Sequence, residues 1–253
     1  MELTLEGHNA LVTGANGGLG SHFAQTLARA GANVAVAARR IETLRPVVDA
    51  LQGAANRIEP VALDVTDAAS VAAAFERASS ALGPLTVVVN NAGIAVTKPL
   101  LEQTEEDWLR VIDVNLNGAW RIAQAAARHM AQHQRGGSIV NIASILGLRV
   151  TSQLPSYAAS KAAVIHLTKA MALELARHRI RVNALAPGYV ETGINRAFFA
   201  TDAGQAVIKR VPQRRIGTPD ELDGALLLLA SDAGSYITGA VLAVDGGHLV
   251  NPL

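Results

Sequence analysis

The stretch Asn9-Ala10-Leu11-Val12-Thr13-Gly14-Ala15-Asn16-Gly17-Gly18-Leu19-Gly20 decides the fold. A short apolar run of strand length breaks into glycines, and a helical pattern follows over residues 21–30. Glycine lets the backbone turn tightly and approach a diphosphate, while the new helix offers unpaired N–H groups and the positive end of its dipole. Gly14, Asn16, Gly17, Gly18, Leu19 and Gly20 are therefore candidate diphosphate contacts. Their spacing, Gly-x-x-x-Gly-x-Gly, differs from the common Gly-x-Gly-x-x-Gly. On its own it would serve close strand–helix packing equally well.

Apolar runs of the same kind recur at residues 33–37, 58–63, 85–90, 138–142, 181–186 and 241–244. Their continuous apolarity points to strands buried on both faces, as in parallel sheets covered by helices. Helical stretches at 70–82, 105–132, 156–176 and 219–229 supply the cover. This rhythm predicts one α/β domain over residues 1–253, a doubly wound Rossmann-type fold with a seven-stranded parallel sheet. The least regular stretch, residues 187–219, is longer than ordinary connections and follows a strand. Ligands of such sheets sit beyond the carboxyl ends of the strands, so a substrate lid is expected at about 189–217.

Twenty-two basic residues against 21 acidic ones leave a formal charge of +1, which gives no sign of a nucleic-acid or membrane-surface binder. A small-molecule partner fits better. The absence of cysteine removes disulfides and thiolate chemistry. His166, His178 and His248 lack metal-ligand spacing, and no metal is expected. No apolar run approaches the ~18 residues of a membrane span, and the first residues lack the pattern of a leader, so a cytoplasmic location is expected.

The second strand runs out at Ala37-Ala38-Arg39-Arg40, where NAD-dependent enzymes often carry an acidic residue on the ribose 2'-hydroxyl. Here alanine stands there and guanidinium groups follow, which suits a 2'-phosphate. Two solvated arginines at a strand end are the alternative taken alone; behind a phosphate-binding turn, NADP(H) is the better match, with NAD(H) as the other choice. Asp64-Val65 and Asn91-Ala92-Gly93 close the third and fourth strands and are candidate contacts for adenine and ribose. Asn90 suits a structural role, bonding neighbouring strands.

Tyr157 and Lys161 lie four apart behind Pro155, on one face of a helix that begins with a first-turn proline. A nearby ammonium favours phenolate and would move a phenol toward working range, suiting general acid–base chemistry on an alcohol or ketone. Ser144 closes the fifth strand at the same sheet edge, with a hydroxyl suited to the substrate oxygen. Asn115 interrupts a long helical pattern with an amide: a satisfied core residue that kinks its helix, or the holder of a proton-relaying water.

In order and spacing these residues resemble the short-chain dehydrogenase/reductase family, in its compact single-domain branch. The match takes in Thr13-Gly14-x-x-x-Gly18-x-Gly20, Asn90-Asn91-Ala92-Gly93, Asn115, Ser144, Tyr157-x-x-x-Lys161, Pro187-Gly188 with Thr192, and Asp245-Gly246-Gly247. The resemblance implies a catalytic tetrad of Asn115, Ser144, Tyr157 and Lys161, with Lys161 also on the nicotinamide ribose. It implies cofactor contacts at Pro187, Gly188, the backbone of Val190 and the hydroxyl of Thr192. It also implies a homotetramer built on the 105–132 and 156–176 segments. Gly17 departs from NADP-using relatives that carry a basic residue before the middle glycine, leaving Arg39 and Arg40 to hold the phosphate.

Within the family the chain is similar both to 3-oxoacyl-thioester reductases and to sugar-acid dehydrogenases of the gluconate 5-dehydrogenase kind. A non-catalytic dinucleotide-binding regulator is a further alternative. Substrate contacts are expected from Val96, Leu146, Gln153, Leu154, Tyr189 and Phe198, a mainly apolar set that favours a simple ketone or 3-oxoacyl thioester. Arg149, Gln153 and Asn195 are the counterweight, able to hold a carboxylate if they face inward. An acyl-carrier protein would need a basic surface beside the cleft, for which Arg135, Arg177, His178 and Arg179 are candidates; solvated helix ends are the alternative.

Overall fold

The computed structural model describes residues 3–51, 56–193 and 196–250; the candidate Asn195 lies outside them. Seven strands form one sheet: β1 (Asn9–Thr13), β2 (Asn33–Ala38), β3 (Ile58–Ala62), β4 (Val87–Asn90), β5 (Gly137–Ile142), β6 (Ile180–Pro187) and β7 (Val241–Val244). All pairings are parallel, in the order β3-β2-β1-β4-β5-β6-β7. The order reverses between β1 and β4, which opens a crevice beyond their carboxyl ends.

Helices α1 (Gly18–Arg29), α2 (Arg45–Ala50), α3 (Ala68–Leu82), α4 (Glu105–Ile112), α5 (Gly118–His133), α6 (Pro155–Leu175), α7 (Arg196–Phe199), α8 (Asp202–Ile208) and α9 (Asp223–Ala230) complete the chain. Alternation along β1 shows how both faces are covered. Ala10 and Val12 join Phe23 and Leu27 of α1 and Leu226 and Leu229 of α9 in one core. Leu11 turns the other way, into a core with Phe75 of α3 and Ile122 and Met130 of α5. A polar tie fixes α1 on α9: His22 Nε2 lies 2.7 Å from Asp223 Oδ1, and Thr26 Oγ1 donates to the same oxygen at 2.8 Å.

Three details depart from the sequence reading. The single helix expected over 105–132 is divided by a π-helical turn, Asp113–Asn117. Helix α2 was hidden by Pro46, which reads as a breaker but sits in the first turn, where its missing N–H costs nothing. The irregular 187–219 stretch contains α7 and α8, and its ends are pinned by a bridge between Val190 and Gly217. Among the described residues no helix is long and apolar enough to cross a membrane.

Candidate active site

The glycine turn is locked from behind by β4. Asn91 and Ala92 donate their backbone N–H groups to Thr13 Oγ1 at 2.9 and 3.0 Å, and the Asn91 amide donates to the carbonyls of Thr13 and Gly14 at 2.9 and 3.3 Å. Asn91, read as a nucleotide contact, thus spends its amide on holding the turn. Gly14 has φ +64°, and a Cβ there would sit 3.1 Å from Ala92 Cα. A Cβ on Gly20 would lie 2.1 Å from the Gly14 carbonyl oxygen, so Gly20 serves close packing. Leu19 likewise leans on the core, and Val65 packs where Gly118 leaves room, 2.7 Å from a Cβ there.

The outer face of the turn is open. A Cβ on Gly17 or Gly18 would meet nothing within 4 Å, and no side chain caps the first turn of α1. Gly18 shares a cavity of about 430 Å³ with Thr192 and Gly193, so the glycine turn and the segment after β6 face one space. These residues fit a dinucleotide diphosphate: exposed backbone, unpaired helix-terminal N–H groups and room. Asn16, Arg39 and Arg40 are exposed at the same edge. Thr66, donating at 2.7 Å, holds the Asp64 carboxyl below its usual range, and the Arg39 charge adds to the effect.

The segment after β6 is placed by tight packing. A Cβ on Gly188 would come within 2.6 Å of Asp245 Cα, and the Gly188 N–H donates to the Val244 carbonyl at 2.9 Å. Pro187 is the last residue of β6. Asp245 in turn accepts from Gly247 and Leu249 N–H at 2.9 and 2.7 Å, which curls the chain after β7 back over the sheet edge.

Ser144, Tyr157, Lys161 and Asn115 converge from the turn after β5, from α6 and from the π turn. The Ser144 side chain lies near enough to the Tyr157 phenol to act on its titration, and Lys161 Nζ stands 5.6 Å from the Tyr157 ring centre. Lys161 is buried and donates to the Ile142 carbonyl at 2.8 Å. Asn115, 1 % exposed, accepts from Ile94 N–H and donates to Ile94 O, both at 2.8 Å, and donates to Ser160 Oγ at 3.1 Å. Ser160 passes the link to the Tyr157 carbonyl at 2.7 Å. Sequence reasoning missed Ser160; the signal was a serine three residues from Tyr157 on the same helix face. A Cβ on Gly93 would sit 3.4 Å from Asn115 Oδ1 and 3.5 Å from Lys161 Nζ, an ordinary contact distance that places Gly93 against both groups.

Burial dominates the titration here. It pushes the Tyr157 phenol up, with the nearby Ser144 hydroxyl opposing, and lowers Lys161 to about 8. The expectation that Lys161 draws the phenol down is not met in this arrangement: burial pushes the phenol up, and the ammonium bonds the Ile142 carbonyl. The phenol keeps its proton at neutral pH, the form a proton donor needs.

Of the residues read as substrate contacts, Tyr189 stacks edge-on with Phe199 at 5.7 Å and lies 5.5 Å from the His248 ring. Val96 is buried, Leu146 and Leu154 are half-buried, and Phe198 and Gln153 are exposed. Gln153 adopts φ 68° and accepts from Lys98 N–H through its carbonyl. The basic surface read at Arg135, Arg177, His178 and Arg179 is misplaced. These residues precede β5 and β6, at the amino ends of the strands, whereas the site stands at the carboxyl ends. Asn90 bears out its structural reading, donating to Ala119 O at 2.8 Å and Asn141 Oδ1 at 3.1 Å.

A doubly wound sheet with an open glycine turn beside a buried Ser–Tyr–Lys cluster defines a dinucleotide-binding oxidoreductase. The chain belongs to the short-chain dehydrogenase/reductase family. A family model described as enoyl-(acyl carrier protein) reductase matches residues 14–248. The chain is 39 % identical to the 3-oxoacyl-[acyl-carrier-protein] reductase of Thermotoga maritima, over 98 % of this chain and all of that protein. It is 43 % identical to the cis-4-hydroxycyclohexanecarboxylate dehydrogenase of Sinomonas cyclohexanicum, over 94 % of this chain and 95 % of that one. The crystal structure of a gluconate 5-dehydrogenase from Burkholderia cenocepacia, in complex with NADP and tartrate, superposes with a TM-score of 0.93 at 38 % identity, covering 98 % of this chain and 97 % of that one.

Proposed function

We propose that residues 1–253 form one catalytic domain that interconverts a ketone and a secondary alcohol using NADP(H). The observation that carries this reading is the convergence of Ser144, Tyr157 and Lys161 beside the open face of Gly17 and Gly18. Bound nicotinamide supplies or accepts the hydride. Tyr157 donates its proton to the carbonyl oxygen in reduction, and Ser144 orients that oxygen. Lys161 sets the charge beside the phenol, and Asn115 holds the π turn and the Ile94 backbone in register with them. Asn16, Gly17, Gly18, Ala92, Gly93, Asp64 and the segment from Pro187 to Thr192 form the cofactor groove. Arg39 and Arg40 face the 2'-phosphate; the NADP in the Burkholderia cenocepacia enzyme's structure supports this choice.

Residues 189–217 act as the substrate lid, hinged where Val190 meets Gly217. Half-exposed β7 and the exposed apolar residues of α4, α5 and α6 support a homotetramer, and the composition supports a cytoplasmic enzyme. The relatives act by name on 3-oxoacyl groups and on hydroxy acids, and both substrate classes fit the site. The test is Tyr157→Phe, which removes the transferable proton and keeps the ring. Ketone-dependent NADPH consumption should fall about 10²- to 10⁴-fold while NADPH binding by fluorescence titration persists. Near-normal kcat would rule the mechanism out.

A further inference from the structure

Strands β5, β6 and β7 are neighbours, and the loops leaving their carboxyl ends bring together three residues far apart in sequence. Arg149 follows β5 on the loop that begins at Ser144. A tight turn, with Leu148 and Arg149 N–H both donating to the Ile145 carbonyl at 2.9 and 2.8 Å, keeps it close to Ser144. The same turn lies against the catalytic helix, since a Cβ on Gly147 would sit 2.7 Å from the Lys161 carbonyl carbon. Tyr189 follows β6, and its ring lies 5.5 Å from that of His248, which follows β7. Arg149 Nη1 donates to the His248 carbonyl at 2.6 Å and closes the group.

The charge at this corner is unbalanced. On the neighbouring segment Arg196 is paired with Glu191 and Arg215 with Glu221, both at 2.6 Å. Arg149 and Arg210 form no ion pair with any described carboxylate, and the charges of both act on the His248 ring. Asp245 offsets one of the two positive charges at the ring, and its oxygens also accept from Gly247 and Leu249, so one guanidinium stays unmatched. His248 Nδ1 is buried with no hydrogen-bond partner among the described residues. Buried polar atoms are normally satisfied, and those left over mark places where something else supplies the partner.

We propose that Arg149, His248 and Tyr189 form a carboxylate-holding corner of the substrate site, making the preferred substrate an oxo or hydroxy acid. The inference rests on the carbonyl–alcohol reading above. A guanidinium offers several N–H donors in a fixed plane and can take one carboxylate oxygen without leaving the His248 carbonyl. The imidazole Nδ1–H takes the other oxygen, and the Tyr189 ring forms the wall. A neutral ketone would leave Nδ1 unsatisfied and the charge that Asp245 does not offset uncompensated. The apolar set Val96, Leu146 and Leu154 then surrounds the carbon skeleton between carbonyl and carboxylate.

The experiment compares kcat/KM, with NADPH, for 4-oxocyclohexanecarboxylate and 5-ketogluconate, each beside its uncharged amide, and for cyclohexanone and an acetoacetyl thioester. The expected result is a preference of tenfold or more for the acid in at least one matched pair. Arg149→Gln should collapse that preference toward unity, and Arg149→Lys should restore part of it. NADPH binding, followed by fluorescence, reports whether each variant keeps its fold. Equal rates for acid and amide in both pairs would overturn the corner, as would a preference that survives Arg149→Gln. So would turnover of cyclohexanone or the thioester without either acid, an outcome that leaves the carbonyl–alcohol reading standing. No turnover of any carbonyl compound would overturn that reading itself.

Discussion

Lys161 carries its functional burial as a stability cost that pH can expose. A fall from 10.5 to about 8 through burial corresponds to about 3 kcal/mol against the folded state wherever the amine is charged. Between about 8 and 10.5 the unfolded chain holds a proton that the folded chain does not, so the penalty is full below pH 8 and fades as pH rises. Lys161→Met removes this dependence, although orphaning the Ile142 carbonyl costs ~1–3 kcal/mol at every pH. Urea unfolding should therefore show the mutant gaining on the wild type by about 3 kcal/mol at pH 7 relative to pH 10.5. A stability difference that stays flat across this range would show that the amine is not desolvated. Arg39 is a simpler case, being exposed and close enough to Asp64 for its charge to be felt there. Arg39→Ala should weaken NADPH about tenfold and leave NADH nearly unchanged in paired fluorescence titrations. A wild type that prefers NADH would remove Arg39 from the phosphate.

At the scale of elements, what the sequence disclosed follows from how local each signal is. The seven strands were legible because burial on both faces writes unbroken Val, Ala, Leu and Ile runs. Pro60 did not obscure β3 because β3 is an edge strand, where a missing N–H is tolerated. The grouping of these residues was legible because Tyr157 and Lys161 share one helix and Ser144 follows a strand by two residues. The π turn at Asp113–Asn117 was legible only as an interruption at Asn115, since the backbone its amide meets is not a local property of the sequence. The turn coincides with the paired hydrogen bonds between Asn115 and Ile94, 21 residues away. Helices α7 and α8 were lost among glycines and a proline that read as breakers. The Arg149–His248 contact joins residues 99 apart, and no local pattern encodes which way a loop arginine turns. The misplaced basic surface has the same origin: a helix end has the same composition at either edge of the sheet.

At the scale of the whole molecule, exposed apolar side chains stand on two sets of elements. One is formed by Trp108 and Leu109 of α4 and Trp120 of α5, 41 %, 55 % and 45 % exposed. The other borders β7, where every residue is half-exposed, and includes Tyr236 and Val250, 103 % and 81 % exposed. A closed dihedral tetramer needs two different self-complementary faces, each used once per pair of chains, whereas a dimer needs one. Charges placed on one face should therefore leave the other pairing intact. Trp108→Glu with Trp120→Glu should convert a species of about four 26.3 kDa chains into one of two in light scattering. Tyr236→Glu with Val250→Glu should do the same through the β7 side, and the four changes together should yield single chains. The two dimers should differ in function, because His248 and Val250 share the short turn after β7. Breaking the β7 side loosens the segment that Arg149 holds, so KM for an acid substrate should rise in that dimer and not in the α4–α5 one. A wild type that sediments as one chain, or double mutants that stay tetrameric, would show that these faces do not pair.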